Sequence, residues 1–200
     1  MPDNILHKDL PKEILLCFKF LELTSSVDSE VNESHRGKLL IKEMAGIWFN
    51  EDNPEIHTPK NEKPRVWINS RELSVSFSHT RNAISAAMSF QMKVGCDMES
   101  VNRGVSDSLI KRIQHPDEVQ SLYAVNSGVR IWTLKEAGLK MIGSGLRKPM
   151  NSVTVTLLEP SLFDVEFSDG KRAKICSFRH KHHWISICYH KHILPGEGRL

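Results

Sequence analysis

No apolar run in this 200-residue chain approaches the length of a membrane span; stretches such as Ile84 to Met88 end after a handful of residues. The start, Met1-Pro2-Asp3-Asn4, lacks a basic segment leading into an apolar one. A soluble, cytoplasmic protein is the expectation. Cysteine is scarce and scattered, at 17, 96, 176 and 188, with no Cys-x-x-Cys pair and no dense framework. That excludes a disulfide scaffold and leaves buried thiols as the simplest reading. Bias toward disorder is missing too: 40% of residues are hydrophobic and 26% charged, enough for one sizeable core or two small lobes sharing one.

Net charge is only +3, but it is unevenly spread. Residues 1–100 carry 12 Lys/Arg against 15 Asp/Glu, and residues 101–200 carry 15 against 9, so the halves are −3 and +6. A basic second half favours an anionic partner, which the sign alone leaves open among nucleic acid, a phosphorylated cofactor and an acidic protein.

The periodicity predicts a helix over Ser34 to Asn50, capped at Ser34, with Leu40, Met44, Ile47 and Trp48 as its apolar stripe. A loop over Asn50 to Pro64 follows. Strand-like runs at Arg65–Asn69, Leu73–Phe77, Ala83–Ser89 and Lys93–Met98 read as an antiparallel meander. Helical text resumes at Val105–Ile113, then at Asp117–Val125 with Pro116 at its first turn, then at Val129–Ile142, closed by Gly143. Strands are expected again at Ser152–Leu158, Phe163–Phe167, Lys174–Phe178 and Trp184–Tyr189. Helix-then-strands thus occurs twice. The expectation is an α+β protein of two pseudo-duplicated lobes, residues 1–100 and 101–200, with a site between them.

Asp97 and Glu99 flank Met98 at the end of a strand-like run, so both carboxylates share a face and can reach one hard cation. A solvated strand end would look the same. In Trp132-Thr133-Leu134-Lys135-Glu136-Ala137-Gly138-Leu139-Lys140, Glu136 and Lys140 stand one helical turn apart. They form either a surface salt bridge or a third metal carboxylate with a lysine for a phosphate oxygen. Ser78-His79, after a strand, can hydrogen-bond a phosphate, and Lys63-Pro64 marks a loop.

In this order the segments resemble the 4′-phosphopantetheinyl transferase superfamily, in its Sfp-type and AcpT-like holo-acyl-carrier-protein synthase branch. The residues that carry the likeness are Glu62-Lys63-Pro64, Val75-Ser76-Phe77-Ser78-His79-Thr80, Val94-Gly95-Cys96-Asp97-Met98-Glu99, and Trp132 to Lys140 with Gly143-Ser144-Gly145-Leu146. It covers about Arg36 to Val155, and Glu62 stands where the family has glycine. The resemblance implies a Mg²⁺ site of Asp97, Glu99 and Glu136 holding the pyrophosphate of coenzyme A. It also implies Lys140 on that pyrophosphate, and Ser78 and His79 on phosphates from the first lobe. Lys63 and Arg36 would lie at the 3′-phosphate, Glu136 would act as base for the incoming serine hydroxyl, and Lys135 would be an auxiliary contact. The implied partners are coenzyme A and an apo acyl or peptidyl carrier protein. A monomer is expected, with no nucleic acid and no membrane.

Two other classes remain: a non-catalytic carrier-binding relative, and a metal-dependent nuclease, whose acid-x-Lys signature would sit on a strand and not in the helical Lys135-Glu136. Lys171 to His192 holds six Lys/Arg and five histidines. Its His180, His182 and His183 have no suitably spaced Cys partner for zinc, so a basic strand edge, or a surface that steers an acidic carrier, is expected there.

Overall fold

The computed structural model describes residues 1–21, 33–59 and 62–191. Helix α1 (Glu33–Phe49) buries Leu40, Ile41, Met44 and Ala45, which recur at turn spacing. Ile47, expected in that stripe, is 53% exposed because it falls at the edge of the inward arc. The backbone is already helical at Glu33, and the side chain of Ser34, the expected cap, lies outside the described residues.

The first sheet comprises β1 (Asp3–Asn4), β2 (Leu15–Phe20), β3 (Glu55–His57), β4 (Arg65–Ile68), β5 (Arg71–His79) and β6 (Ala83–Ser89), in the antiparallel order β1-β2-β6-β5-β4-β3. Asn69 and Ser70, at φ 50° and 64°, form the two-residue loop between the paired Ile68 and Arg71, the mirror-image turn that matches strand twist. The second sheet comprises β7 (Met92–Ser100), β8 (Val153–Glu159), β9 (Leu162–Phe167), β10 (Arg172–His180) and β11 (His183–Lys191), in the order β7-β11-β10-β9-β8. Between β7 and β8 in sequence come α2 (Asp107–Ile113), α3 (Gln120–Val125) and α4 (Gly128–Met141). The chain is therefore α+β with two antiparallel sheets, each with its own helical cover.

Three expectations need correction. The meander stops at β6: β2 takes the place beside it, from Leu15 opposite Met88 to Phe20 opposite Ala83, while β7 crosses over to pair with β11. By its ladder β7 belongs to the second sheet, although the boundary drawn at residue 100 puts it in the first lobe. Within the expected loop over 50–64, Glu55–His57 is a strand. The helix expected from Asp117 begins only at Gln120, because Glu118 turns inward and accepts the His115 N–H at 2.8 Å.

Alternation along the strands sorts the apolar side chains into layers. Ile84, Ala86 and Met88 pack under α1, whereas Ala83 and Ala87 join Val94, Cys96, Met98, Ile185 and Ile187 in a core between the sheets. Ile131, Leu134, Phe163 and Ile175 fill the core beneath α4. Helix, sheet, sheet and helices are thus stacked, and β7 lies between the first sheet and α4. All four cysteines are buried and free. Among the described residues, no helix is long and apolar enough to cross a membrane.

Candidate active site

Helix α4 is buried almost all the way round: Val129 to Ile131, Thr133 to Lys135, Ala137 to Leu139 and Met141 are all inside. The only residues left half-exposed are Gly128, Trp132, Glu136 and Lys140, four apart, which form one open stripe. Strand β7 lies close under this helix because Gly95 has no side chain. A Cβ there would come within 2.1 Å of the Ala137 carbonyl oxygen and 2.4 Å of the Met141 nitrogen. The helix ends in a Schellman cap, with Gly143 N–H on Lys140 O and Ser144 N–H on Leu139 O, both 3.1 Å, and Gly143 at φ +75°.

This approach brings strand and helix side chains together. Lys140 Nζ donates to Asp97 Oδ1 at 2.7 Å and lies 3.6 Å from Glu136 Oε1. Ser78 Oγ donates to the same Asp97 oxygen at 2.9 Å and accepts from Lys140 at 3.2 Å. Ser78 completes a ladder of hydroxyls on alternate residues of β5: Val94 N–H donates to Ser74 Oγ at 3.0 Å and Cys96 N–H to Ser76 Oγ at 2.9 Å. Ser74 and Ser76 thus take two N–H groups on the edge of β7 away from β11, where no strand pairs among the described residues, and so tie the two sheets together.

Glu99 shares the Asp97 face of β7 and is ion-paired through Oε1 with Arg103 Nη1. The Arg103 guanidinium lies 4.5 Å from the centroid of the Trp132 ring, one turn before Glu136. His79 closes β5 opposite Ile84, half-buried, and the next residue, Thr80, places Oγ1 3.2 Å from His183 Nε2 of the second sheet.

The electrostatics follow from two carboxylates beside one ammonium. Burial, and then the Asp97 carboxylate, raise the Glu136 pKa above its ordinary value. Burial alone would lower the Lys140 pKa, but Asp97 and Glu136 outweigh it and hold the ammonium charged. Asp97 is 2% exposed, and its Oδ2 has no hydrogen-bond partner among the described residues. A buried carboxylate oxygen without a partner costs free energy unless something cationic meets it. Among the described residues no three His, Cys, Asp or Glu side chains are drawn together closely enough to hold a metal ion. Lys140 and Arg103 instead hold the oxygens on which a cation would draw. The donor set, all carboxylate oxygen with one buried atom unsatisfied, fits a hard divalent cation.

Other expected residues lie elsewhere. Lys63 lines a groove of about 270 Å³ with Pro64, Ser74, Lys93, Met141 and Gly143, at the C-terminal end of α4. It donates to the Val94 carbonyl and to Ser74 Oγ, and burial pushes its pKa down to about 8. Arg36 stands on α1 beside Gly37, whose backbone abuts the Phe77 ring of β5. Lys135 is not part of the cluster. Wholly buried on another side of α4, it donates to Val153 O at 2.7 Å and pairs with Glu118 at 2.8 Å. Reading the sequence missed Glu118, Arg103 and the serine ladder. Only the ladder left a signal, the alternation Ser74-Val75-Ser76-Phe77-Ser78.

The basic C-terminal strands carry much of their own neutralisation. Lys171, Arg172, Lys174 and Lys181 are paired with Asp169, Glu166, Asp164 and Asp3. His192 lies outside the described residues.

Comparison with known proteins follows the same segments. A family model described as the 4′-phosphopantetheinyl transferase superfamily matches residues 93–193, from β7 through α4 to the last strand. A 4′-phosphopantetheinyl transferase of Bacillus subtilis is 26% identical over 69% of this chain, which spans 65% of that relative's length. The 4′-phosphopantetheinyl transferase gsp of Aneurinibacillus migulanus is 26% identical over 87% of this chain and 85% of its own.

Proposed function

Because the chain belongs to the 4′-phosphopantetheinyl transferase superfamily, we propose that it moves the phosphopantetheine arm of coenzyme A onto a serine of an acyl or peptidyl carrier protein, with Mg²⁺, and releases 3′,5′-ADP. The observation that carries this reading is the open stripe of α4 laid against Asp97, whose buried Oδ2 has no partner among the described residues. Asp97, Glu136 and, once clear of Arg103, Glu99 would hold the cation. Bound there, Mg²⁺ would neutralise a diphosphate and the charge developing on its leaving oxygen.

The protein's own groups account for the remaining steps. Lys140, held charged, offers its ammonium to a non-bridging phosphate oxygen. Glu136, facing the open stripe beside Lys140, takes the proton of the carrier serine as the serine oxygen forms a bond to the β-phosphorus. The bond from that phosphorus to the ADP oxygen breaks, and the electron pair leaves with 3′,5′-ADP. Ser78 fixes Asp97, while His79 at the end of β5 and Lys63 in its groove would meet the cofactor's other phosphates.

The test is incubation with coenzyme A, Mg²⁺ and a panel of apo carriers, scored by intact mass. Addition of the phosphopantetheine arm to at least one carrier is expected, with loss of the reaction in Asp97→Ala. Binding of carrier or coenzyme A with no 3′,5′-ADP formed would favour the non-catalytic relative.

A further inference from the structure

Arg103 has no place in the reaction just described, yet it holds one of the three carboxylates on which that reaction depends. The turn after β7 aims it. Arg103 N–H donates to Ser100 O and Val101 N–H to His182 O, both at 3.0 Å, so the chain folds back over the strand end and against the β10–β11 turn. From there one guanidinium does two things: it donates through Nη1 to Glu99 Oε1, and its carbon lies over the Trp132 ring, 4.5 Å from the centroid. A planar cation can serve a carboxylate and an aromatic face together, which a lysine ammonium cannot do as well. The contact spans β7, the turn and α4.

We infer that Arg103 is a positioning residue that latches Glu99 against Trp132 and competes with the divalent cation for that carboxylate. The inference rests on the cation site of the preceding section. Glu99 is only partly buried, its side chain 21% exposed, so water could satisfy it and the fold does not require the arginine. What the arginine does is keep Glu99 off the Asp97–Glu136 cluster until something cationic displaces it. Cation affinity is then reduced by the fraction of molecules in which the latch is closed. Opening it frees a guanidinium beside the site, where a diphosphate would be its natural next partner.

The test is Mn²⁺ binding to the protein without coenzyme A, measured from free Mn²⁺ by electron paramagnetic resonance. Wild type is compared with Arg103→Ala, with Arg103→Gln, which keeps a stem over Trp132 but no charge, and with Asp97→Ala as the control for the site. Both Arg103 variants should bind Mn²⁺ about three- to tenfold more tightly than wild type, the size expected from a half-exposed ion pair and one cation–π contact. Asp97→Ala should lose the binding. Asp97-dependent binding that neither Arg103 variant tightens would overturn the latch and leave the cation site standing. No Asp97-dependent binding in any variant would overturn both.

Discussion

Helix α4 carries two lysines, Lys135 and Lys140, and each is paired with a carboxylate from another segment, but the two pairs are finished differently. The side chains of Lys135 and Glu118 are both 0% exposed, and the Glu118 carboxylate also accepts from His115 N–H, Val155 N–H and the Tyr123 hydroxyl. Every oxygen has partners. Lys140 and Asp97 lie at the open stripe, where the Lys140 side chain is 24% exposed and Asp97 Oδ2 has no partner among the described residues. The same chemistry is structural where all its hydrogen-bonding capacity is used, and available for ligands where some is held back.

Breaking the closed pair should have the largest effect. Glu118→Ala leaves a buried ammonium without a carboxylate and should destabilise the fold by about 3–5 kcal/mol, read as a lower urea midpoint. Glu118→Leu with Lys135→Met, which removes both charges, should recover most of that loss. A single variant within about 1 kcal/mol of wild type would show that the pair does not hold α4 in place.

Breaking the open pair should do the opposite, with little change in stability and a large loss of rate. Asp97→Ala should keep its urea midpoint yet transfer at least about 10²-fold more slowly, as removal of a preorganised electrostatic group does. Near-normal turnover would contradict the assignment.

Gly95 sharpens the comparison because it sets the distance between helix and strand. Gly95→Ala drives a Cβ into the Ala137 carbonyl and the Met141 nitrogen, and should cost about 1–3 kcal/mol. Its rate should fall as well, since Lys140 is carried away from Asp97. Unchanged stability would mean that the helix can shift freely.

The smallest expected effect is on titration. Asp97 repels the Glu136 carboxylate, so Asp97→Asn should let Glu136 ionise at lower pH than in wild type, read by ¹³C NMR of the side-chain carboxyl. In the cation-free wild type the Glu136 carboxyl should accordingly titrate above its ordinary value. A Glu136 titration indifferent to Asp97 would separate the two groups.

Much of this was legible because α4 and β7 each carry chemistry at a spacing that a helix or strand turns into a shared face. Glu136 and Lys140, and Asp97 and Glu99, are such pairs. The surroundings of Lys135 could not be read because α4 is open along one narrow stripe only: the structure buries ten of its residues, Lys135 and Arg130 among them. Glu118, in His115-Pro116-Asp117-Glu118, looks like an acid in a solvated turn, but it is buried against donors from distant segments, Lys135 of α4 and the Val155 N–H. Strand β2 went unseen for a related reason. Leu16, Cys17 and Phe18 are all 0% exposed, so the run shows no alternation. The crossing of β7 to β11 depends on residues some ninety positions apart, which no local pattern reports.

The central claim, that carboxylates from β7 and α4 close on one cation, is tested most directly by a crystal structure with Mn²⁺ and coenzyme A, using anomalous scattering to find the metal. The account predicts one peak bound by Asp97 and Glu136 oxygens, with Lys140 moved onto a phosphate and Glu99 released from Arg103. A peak away from Asp97, or a diphosphate bound with Lys140 still bridging Asp97 and Glu136, would contradict it.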